Sequence, residues 1–547
     1  YLNSTTKDID GGFYFRNPTN RGGVYGDGST LLIGDMDGVG VGGTCPVVTV
    51  TGNIVDPVAM ATVKADANCF SFQETIPGGF TPRFGGKMTD QALLFGLKGQ
   101  MANGLGWDVS AYYGMNEADF FINNTVNASM GPDSPRNFDP GLYRQMETSV
   151  NADFTYSVSD AVNLAFGGEY RTEEFTIGAG DEASSTAGVL KDQGFSLSSN
   201  GFPGFAKKIS GNFDRSNYAV YMDAEWDSSD NLLLTSAIRF EDFDDFGTTT
   251  NWKIGGNFHI TEDAGIRATI STGFKAPTPG QSNASNISTT IDNATGKLVN
   301  KGVIPSTSPV ALQYGGKVLA PEDSKNMTFG IYTVVGAFDI TVDYFNIEVE
   351  DRLNFSKDTT LTEADIAALI AAKIPGATDM SKFRFFTNDF DTETSGWDVV
   401  VSTSTDWMGG TTQWNLAYNK TETEVTNRGA TIDDEREKRI EEMTPDTRWN
   451  VSGNHMVGDW RMLARASYFG DWYDSGEGYV YPGEYVVDLE LAYNLNDNSS
   501  VMIGGNNVLD EAGDTLHNIN SYGNLHSTQA PMGFSGAFWY AKYSYNF

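Results

Sequence analysis

The chain has 547 residues, 61 of them glycine, with 12% aromatic and only 39% hydrophobic side chains. Its 71 acidic and 36 basic residues leave a formal charge of −35, which argues against nucleic acid or anionic headgroups as partners. No apolar run approaches the length a transmembrane helix needs, so any membrane crossing must be made by strands.

The opening "YLNSTTKDIDGGFYFRNPTN" has neither a basic start nor an apolar core, so it is no export signal. That leaves a cytosolic chain, or one whose signal has been removed. Cys45 and Cys69 lie 24 positions apart in a Gly/Thr/Val-rich stretch without regular periodicity, as suits a disulfide in an oxidising compartment. His259, His455, His517 and His526 are scattered, which argues against a zinc site. Residues 1–89 are therefore expected to form an external loop region carrying the disulfide.

From about residue 90 the pattern changes to strands of period two. "NYAVYMDAEW" sets Tyr218, Val220, Met222, Ala224 and Trp226 against Tyr221, Asp223 and Glu225. "FDITVDYF" sets Phe338, Ile340, Val342 and Tyr344 against Asp339 and Asp343. "WRMLARASYF" opposes Trp460, Met462, Ala464 and Tyr468 to Arg461 and Arg465, and "EYVVDLELAYN" opposes Tyr485, Val487, Leu489 and Leu491 to Glu484, Asp488 and Glu490. The last twelve residues, "GAFWYAKYSYNF", alternate in the same way and end on Phe547. A Trp or Tyr often closes the apolar face, as where a strand meets a membrane interface.

The connections carry the architecture. Short joins near 101–106, 157–162, 227–231, 261–265, 335–337, 408–410, 457–459 and 494–500 alternate with long ones, from 124–142 to 510–534. Tight turns at one end and long loops at the other predict an all-β, transmembrane antiparallel β-barrel, with about 17 strands visible. An odd count does not close a bacterial barrel of the usual even type, so an N-terminal part is expected to be missing or a strand uncounted. Lipid then covers the apolar face. Asp223, Glu225, Asp339, Asp343, Arg461, Arg465, Glu484 and Asp488 are expected to line the lumen, an acid-rich wall that disfavours a highly anionic ligand.

Among the loops, "TLTEADIAALIAAKIPG" (360–376) reads as a helix, with Thr362 and Asp365 placed for a capping box and Ile366, Leu369 and Ile370 on one face. It serves either local packing or a lid. Trp472, Tyr473, Tyr479 and Tyr481 offer flat rings for a sugar or an apolar chelate, or else belong to the interfacial girdle. Asp242, Asp244 and Asp245, and in the same way Asp510, Glu511 and Asp514, are candidates for external calcium, against solvated acidic loop tips; no other cofactor or metal site is read. No nucleophile elbow, phosphate loop or catalytic cluster occurs, so the chain does not read as an enzyme.

Several stretches, in order, resemble TonB-dependent outer-membrane receptors: "GGEYRTEEFTIGAGD" (167–181), "RFEDFDDFGTTTNWKIGGNF" (239–258), "IRATISTGFKAPTPGQ" (266–281), "LAPEDSKNMTFGIY" (319–332), "IGGNNVLDEAGD" (503–514) and the terminal Phe547. Lys275 stands where that family commonly has Arg. The resemblance implies a 22-stranded barrel in the bacterial outer membrane, contacting lipid and lipopolysaccharide, of which residues 90–547 form the C-terminal part. It also implies an N-terminal plug and a TonB-contacting box, neither of which is in this sequence, and a barrel-assembly signal at Phe547. The function implied is TonB-driven uptake of a siderophore, an oligosaccharide or cobalamin, with a slight lean to a neutral ligand. A passive porin, or a surface adhesin exploited by phage, is the alternative.

Overall fold

The computed structural model describes residues 2–7, 11–12, 14–38, 43–207, 209–292, 297–372, 374, 377, 380–517 and 525–546. Seventeen long strands, from Arg83–Gln100 to Phe538–Tyr545, pair antiparallel, each with the next in the chain. They begin seven residues earlier than the alternation suggested. The segments Leu2–Lys7 and Gly11–Gly12 both pair with Arg83–Gln100, at 87–92 and 83–84, and together fill one more position. The external loop expected over 1–89 therefore starts only after a strand. "LNSTTK" has almost no apolar residues, so no alternating face announced it. Among the described residues the sheet is not closed: Leu2–Lys7 and Phe538–Tyr545 are its two edges.

Register separates the two faces. Tyr170, Tyr218 and Asp242 form one cross-strand row, while Glu169, Ala219 and Glu241 form the row beside it. Followed through the sheet, one face carries Val220, Ile254, Phe329, Leu489, Ile503 and Trp539, all exposed, Trp539 to 67%. An apolar surface of this extent is not tolerated in water, and among the described residues no second protein layer covers it. Trp226, Trp407 and Trp460 lie at the strand ends beside the short turns, in the place of an interfacial girdle. The turn between Trp407 and Gly410 has two residues, Met408 and Gly409, both at positive φ, which matches the twist of the strands it joins.

The other face is laced by polar pairs that cross an intervening strand through a glycine. Arg267, Gly330 and Asp343 are in register on three neighbouring strands. The guanidinium spans the gap to the carboxylate with contacts of 2.9 and 2.6 Å. A Cβ on Gly330 would lie 1.9 Å from Asp343 Oδ1 and 2.9 Å from Arg267 Nε. Tyr221 donates to Asp153 across Gly167 at 2.6 Å, and Tyr540 donates to Glu490 across Gly504 at 2.7 Å. Gly330→Ala is expected to push the Asp343 carboxylate off Arg267 and cost about 1 kcal/mol of unfolding free energy. The same substitution in Asp343→Ala should cost nothing further, a coupling that a double-mutant cycle in lipid vesicles would measure.

The long connections fold above the sheet rather than trailing from it. Cys45 and Cys69 form the disulfide expected between them. Val24, Tyr25, Phe70 and Phe72 from the first loop pack with Val126 and Ala128 from the second and Leu190 and Phe195 from the third. A second core joins Ile287, Ile304 and Val310 to Leu369, Met380 and Phe383. The helix predicted over 360–376 is Glu363–Ala371, with the Thr362/Asp365 capping box in place. Leu369 is buried in that second core while Ile370 is exposed, so the helix packs locally.

Candidate functional site

Two regions bring chemistry together: the polar face of the sheet and the loops above it. All eight residues expected to line the lumen share the polar face by register. Arg465 binds Asp488 at 2.9 and 2.6 Å, and Arg461 pairs with Glu490. Asp488 also accepts from the Asn507 amide at 2.8 Å. Asp223 and Glu225 line a polar hollow of about 380 Å³ near the short-turn end, with Tyr156, Ser157 and Asn163. A larger hollow, about 920 Å³, lies elsewhere, among Trp414, Met462, Leu489 and Trp539 on the lipid-facing side.

Toward the loops the polar pairs merge into a network that no single stretch of sequence announces. Arg239 binds Glu169 and Glu241, each at 2.7 Å, and Glu241 accepts from Asn217 at 3.0 Å. Arg215 is buried. Its Nε donates to Glu173 at 3.0 Å and its Nη1 to the Pro277 carbonyl at 2.6 Å, and the guanidinium lies 5.3 Å from the Phe243 ring centroid. Pro277 leads into the short helix Pro279–Asn283, where Thr278 and Gln281 make a capping box. The stretches 167–181, 239–258 and 266–281 thus meet on one wall, the first tied to the second by Arg239 and Glu169 and to the start of the loop at Pro277 through Arg215.

Of the four loop rings suggested by sequence, three are buried. Trp472 and Tyr481 stack on each other at 4.9 Å, and both are buried, as is Tyr473, whose ring lies 4.5 Å from Lys438 Nζ. The two short strands Trp472–Asp474 and Tyr479–Tyr481 pair, so the Trp472 and Tyr481 rings pack on each other across the hairpin. Only Tyr479 is exposed, and His517 lies parallel to it at 5.4 Å. The acidic tip also disperses: Asp244 accepts from Ser216, Asp245 faces Arg215 at 3.7 Å, and Asp242 points to the opposite side of its strand from Glu241. Among the described residues no three His, Cys, Asp or Glu side chains are grouped to hold a metal ion. Phe547 lies outside the described residues.

A basic cluster that the sequence reading did not find sits where three loops meet. Lys301 and Arg384 project from one face of a small loop sheet in which Lys301 pairs with Lys382 and Val303 with Arg384. The other face puts Phe383 into the second loop core. The helix Asp434–Glu442 brings Arg436 and Arg439 to the same place, three residues apart on one side of the helix. Lys301 Nζ binds Asp358 at 2.9 Å, and Arg436 Nη2 donates to the Ser356 carbonyl at 3.0 Å. The Arg384 guanidinium lies 3.9 Å from the Phe355 ring centroid. Burial, then the neighbouring Arg439 and Arg384, bring the Arg436 guanidinium down to about 10. Burial also lowers Lys301 and Arg384. Burial raises the Asp358 carboxyl, but Lys301, Arg384 and Arg436 outweigh it and leave it below its ordinary range. In so acidic a chain the signal was the pairing of "KFR" with "DEREKR", which are 52 residues apart and meet only in the fold.

Residues 53–508 match a family model described as TonB dependent receptor-like, beta-barrel. The chain is similar to the vitamin B12 transporter BtuB of Vibrio vulnificus, 32% identical over 136 residues, 25% of this chain and 21% of that protein. BtuB of Photobacterium profundum is 23% identical over 291 residues, 53% of this chain and 38% of that one. Among solved structures, the siderophore receptor PirA from Acinetobacter baumannii superposes with a TM-score of 0.55 at 12% identity, covering 92% of this chain and 67% of PirA. The chain thus spans well under half the length of the curated relatives it matches.

Proposed function

The chain belongs to the TonB-dependent receptor family through its β-barrel domain, and from that premise we propose that it takes up a scarce external ligand across the outer membrane, driven by TonB. The family's barrels stand in the outer membrane, and the exposed apolar face is the surface that lipid covers there. One observation carries the reading beyond the family: the first three long connections share one packed core, and the two that carry Val310 and Leu369 share another, leaving a structured mouth above a charged wall. Such a mouth selects a ligand, which a plain conduit has no need to do. The relatives are transporters of vitamin B12 and receptors of siderophores, and neither ligand passes to this chain by similarity at these identities.

The wall remains acid-rich, with Asp223, Glu225, Asp339 and Glu484 in addition to the carboxylates paired with arginine. Like charge disfavours a polyanionic chelate near it, so the ligand is proposed to carry little net charge. Uptake by cells expressing the full-length protein is the test, with labelled cobalamin, ferric siderophores and oligosaccharides. Accumulation of one of them is expected to cease when TonB is deleted or the proton gradient is collapsed. Accumulation indifferent to both would make the protein a passive pore. Nanomolar binding of a polyanionic siderophore alone would overturn the proposed neutrality.

A further inference from the structure

The loop cluster of Lys301, Arg384, Arg436 and Arg439 has more positive charge than its surroundings answer. Asp358 serves Lys301, and Glu435 pairs with Arg439 from the exposed side of the helix. Arg436 is only 8% exposed, and its Nε has no hydrogen-bond partner. Arg384 rests on Phe355, and among the described residues no carboxylate, carbonyl or hydroxyl accepts from its guanidinium. The Nε of Arg439 is likewise buried without a partner. A buried guanidinium has five donors to satisfy, and a neutral ring face satisfies none of them. Bringing further cations alongside adds repulsion that low-dielectric surroundings strengthen.

We propose that this cluster is a binding site for a compact oxyanion, a carboxylate or phosphate group, held between Arg384, Arg436 and Arg439. The planar forks of arginine suit two-oxygen recognition of either group, and the stacking of Arg384 on Phe355 fixes its plane in advance. The three loops that meet there come from separate hairpins, so an anion would hold the mouth in one arrangement as well as mark the ligand. The proposal rests on the uptake reading only for its purpose: a ligand with one acidic group on an otherwise neutral body fits both this cluster and the acid-rich wall below.

Binding is measured on the purified full-length receptor in detergent micelles, by calorimetry and by thermal unfolding, with inorganic phosphate and acetate titrated separately at constant chloride ionic strength. Saturable binding of at least one anion is expected, with a matching rise in unfolding temperature. Arg384→Gln should weaken it about tenfold, the share of one charge-assisted fork. In anion-free buffer the same variant should unfold no lower than the parent, because an unanswered cation has been removed; a merely structural arginine would give a lower temperature. Arg384→Lys should keep part of the affinity. Saturation by phosphate alone or by acetate alone identifies which oxyanion the site takes. Absence of saturable binding by either, or affinity unchanged in Arg384→Gln, overturns the proposal. Because no TonB enters these measurements, their failure leaves the uptake reading standing, and TonB-independent uptake would leave an observed anion site standing.

Discussion

Met222→Arg is expected to destabilise the inserted sheet by about 2–4 kcal/mol, the cost of a cation on the lipid face near mid-membrane. Asp223→Arg, one residue on, is expected to change stability by less than about 0.5 kcal/mol. The two positions are adjacent and face opposite sides: Met222 stands in a row with Phe166 and Ile238, while Asp223 stands with Ala165 and Ala237 on the polar side. Equilibrium unfolding by urea in lipid vesicles would measure both. Equal penalties at the two sites would mean that the assignment of lipid to the apolar face is mistaken, and the membrane reading with it.

Removing one partner of the buried Arg215–Glu173 pair should cost still more. Arg215→Met leaves the Glu173 carboxylate without its guanidinium, takes the cation from the Phe243 and Phe246 rings and frees the Pro277 carbonyl, for an expected loss of about 3–5 kcal/mol. Glu173→Gln added to it should restore much of that, since a neutral amide beside an apolar side chain no longer buries a charge. The readout includes the loop: cleavage by protease within 276–321 is expected to quicken in Arg215→Met and to slow again in the double variant. A single variant within 1 kcal/mol of the parent would show that Arg215 is an ornament of this wall rather than its anchor.

The sheet was legible because its physics is periodic. Alternation in "NYAVYMDAEW" or "EYVVDLELAYN" places each side chain on a face before any coordinate is known, and the alternation of short and long joins orders the strands. The count of about 17 strands was found this way, though with the first beginning near residue 90 rather than at Arg83. "LNSTTK" was not, since a strand lacking an apolar face leaves no period to read. The loop chemistry was illegible for a different reason. Trp472 and Tyr481 read as offered surfaces in sequence, and only their pairing across a hairpin reveals them as each other's partner. Arg384 and Arg436 sit in segments that look like ordinary charged surface, and their buried Nε atoms without hydrogen-bond partners exist only where three loops converge.

Faces alone leave one ambiguity that the glycines resolve. A strand displaced by one residue turns its greasy side inward and is rejected at once, but displacement by two preserves both faces. Such a slip would bring Thr328 or Tyr332 between Arg267 and Asp343, a side chain where there must be none. Gly167 and Gly504 impose the same condition on two other parts of the sheet. The wall therefore carries its own alignment marks: three gaps through which only the native partners can reach each other, checked one strand at a time as the barrel is assembled.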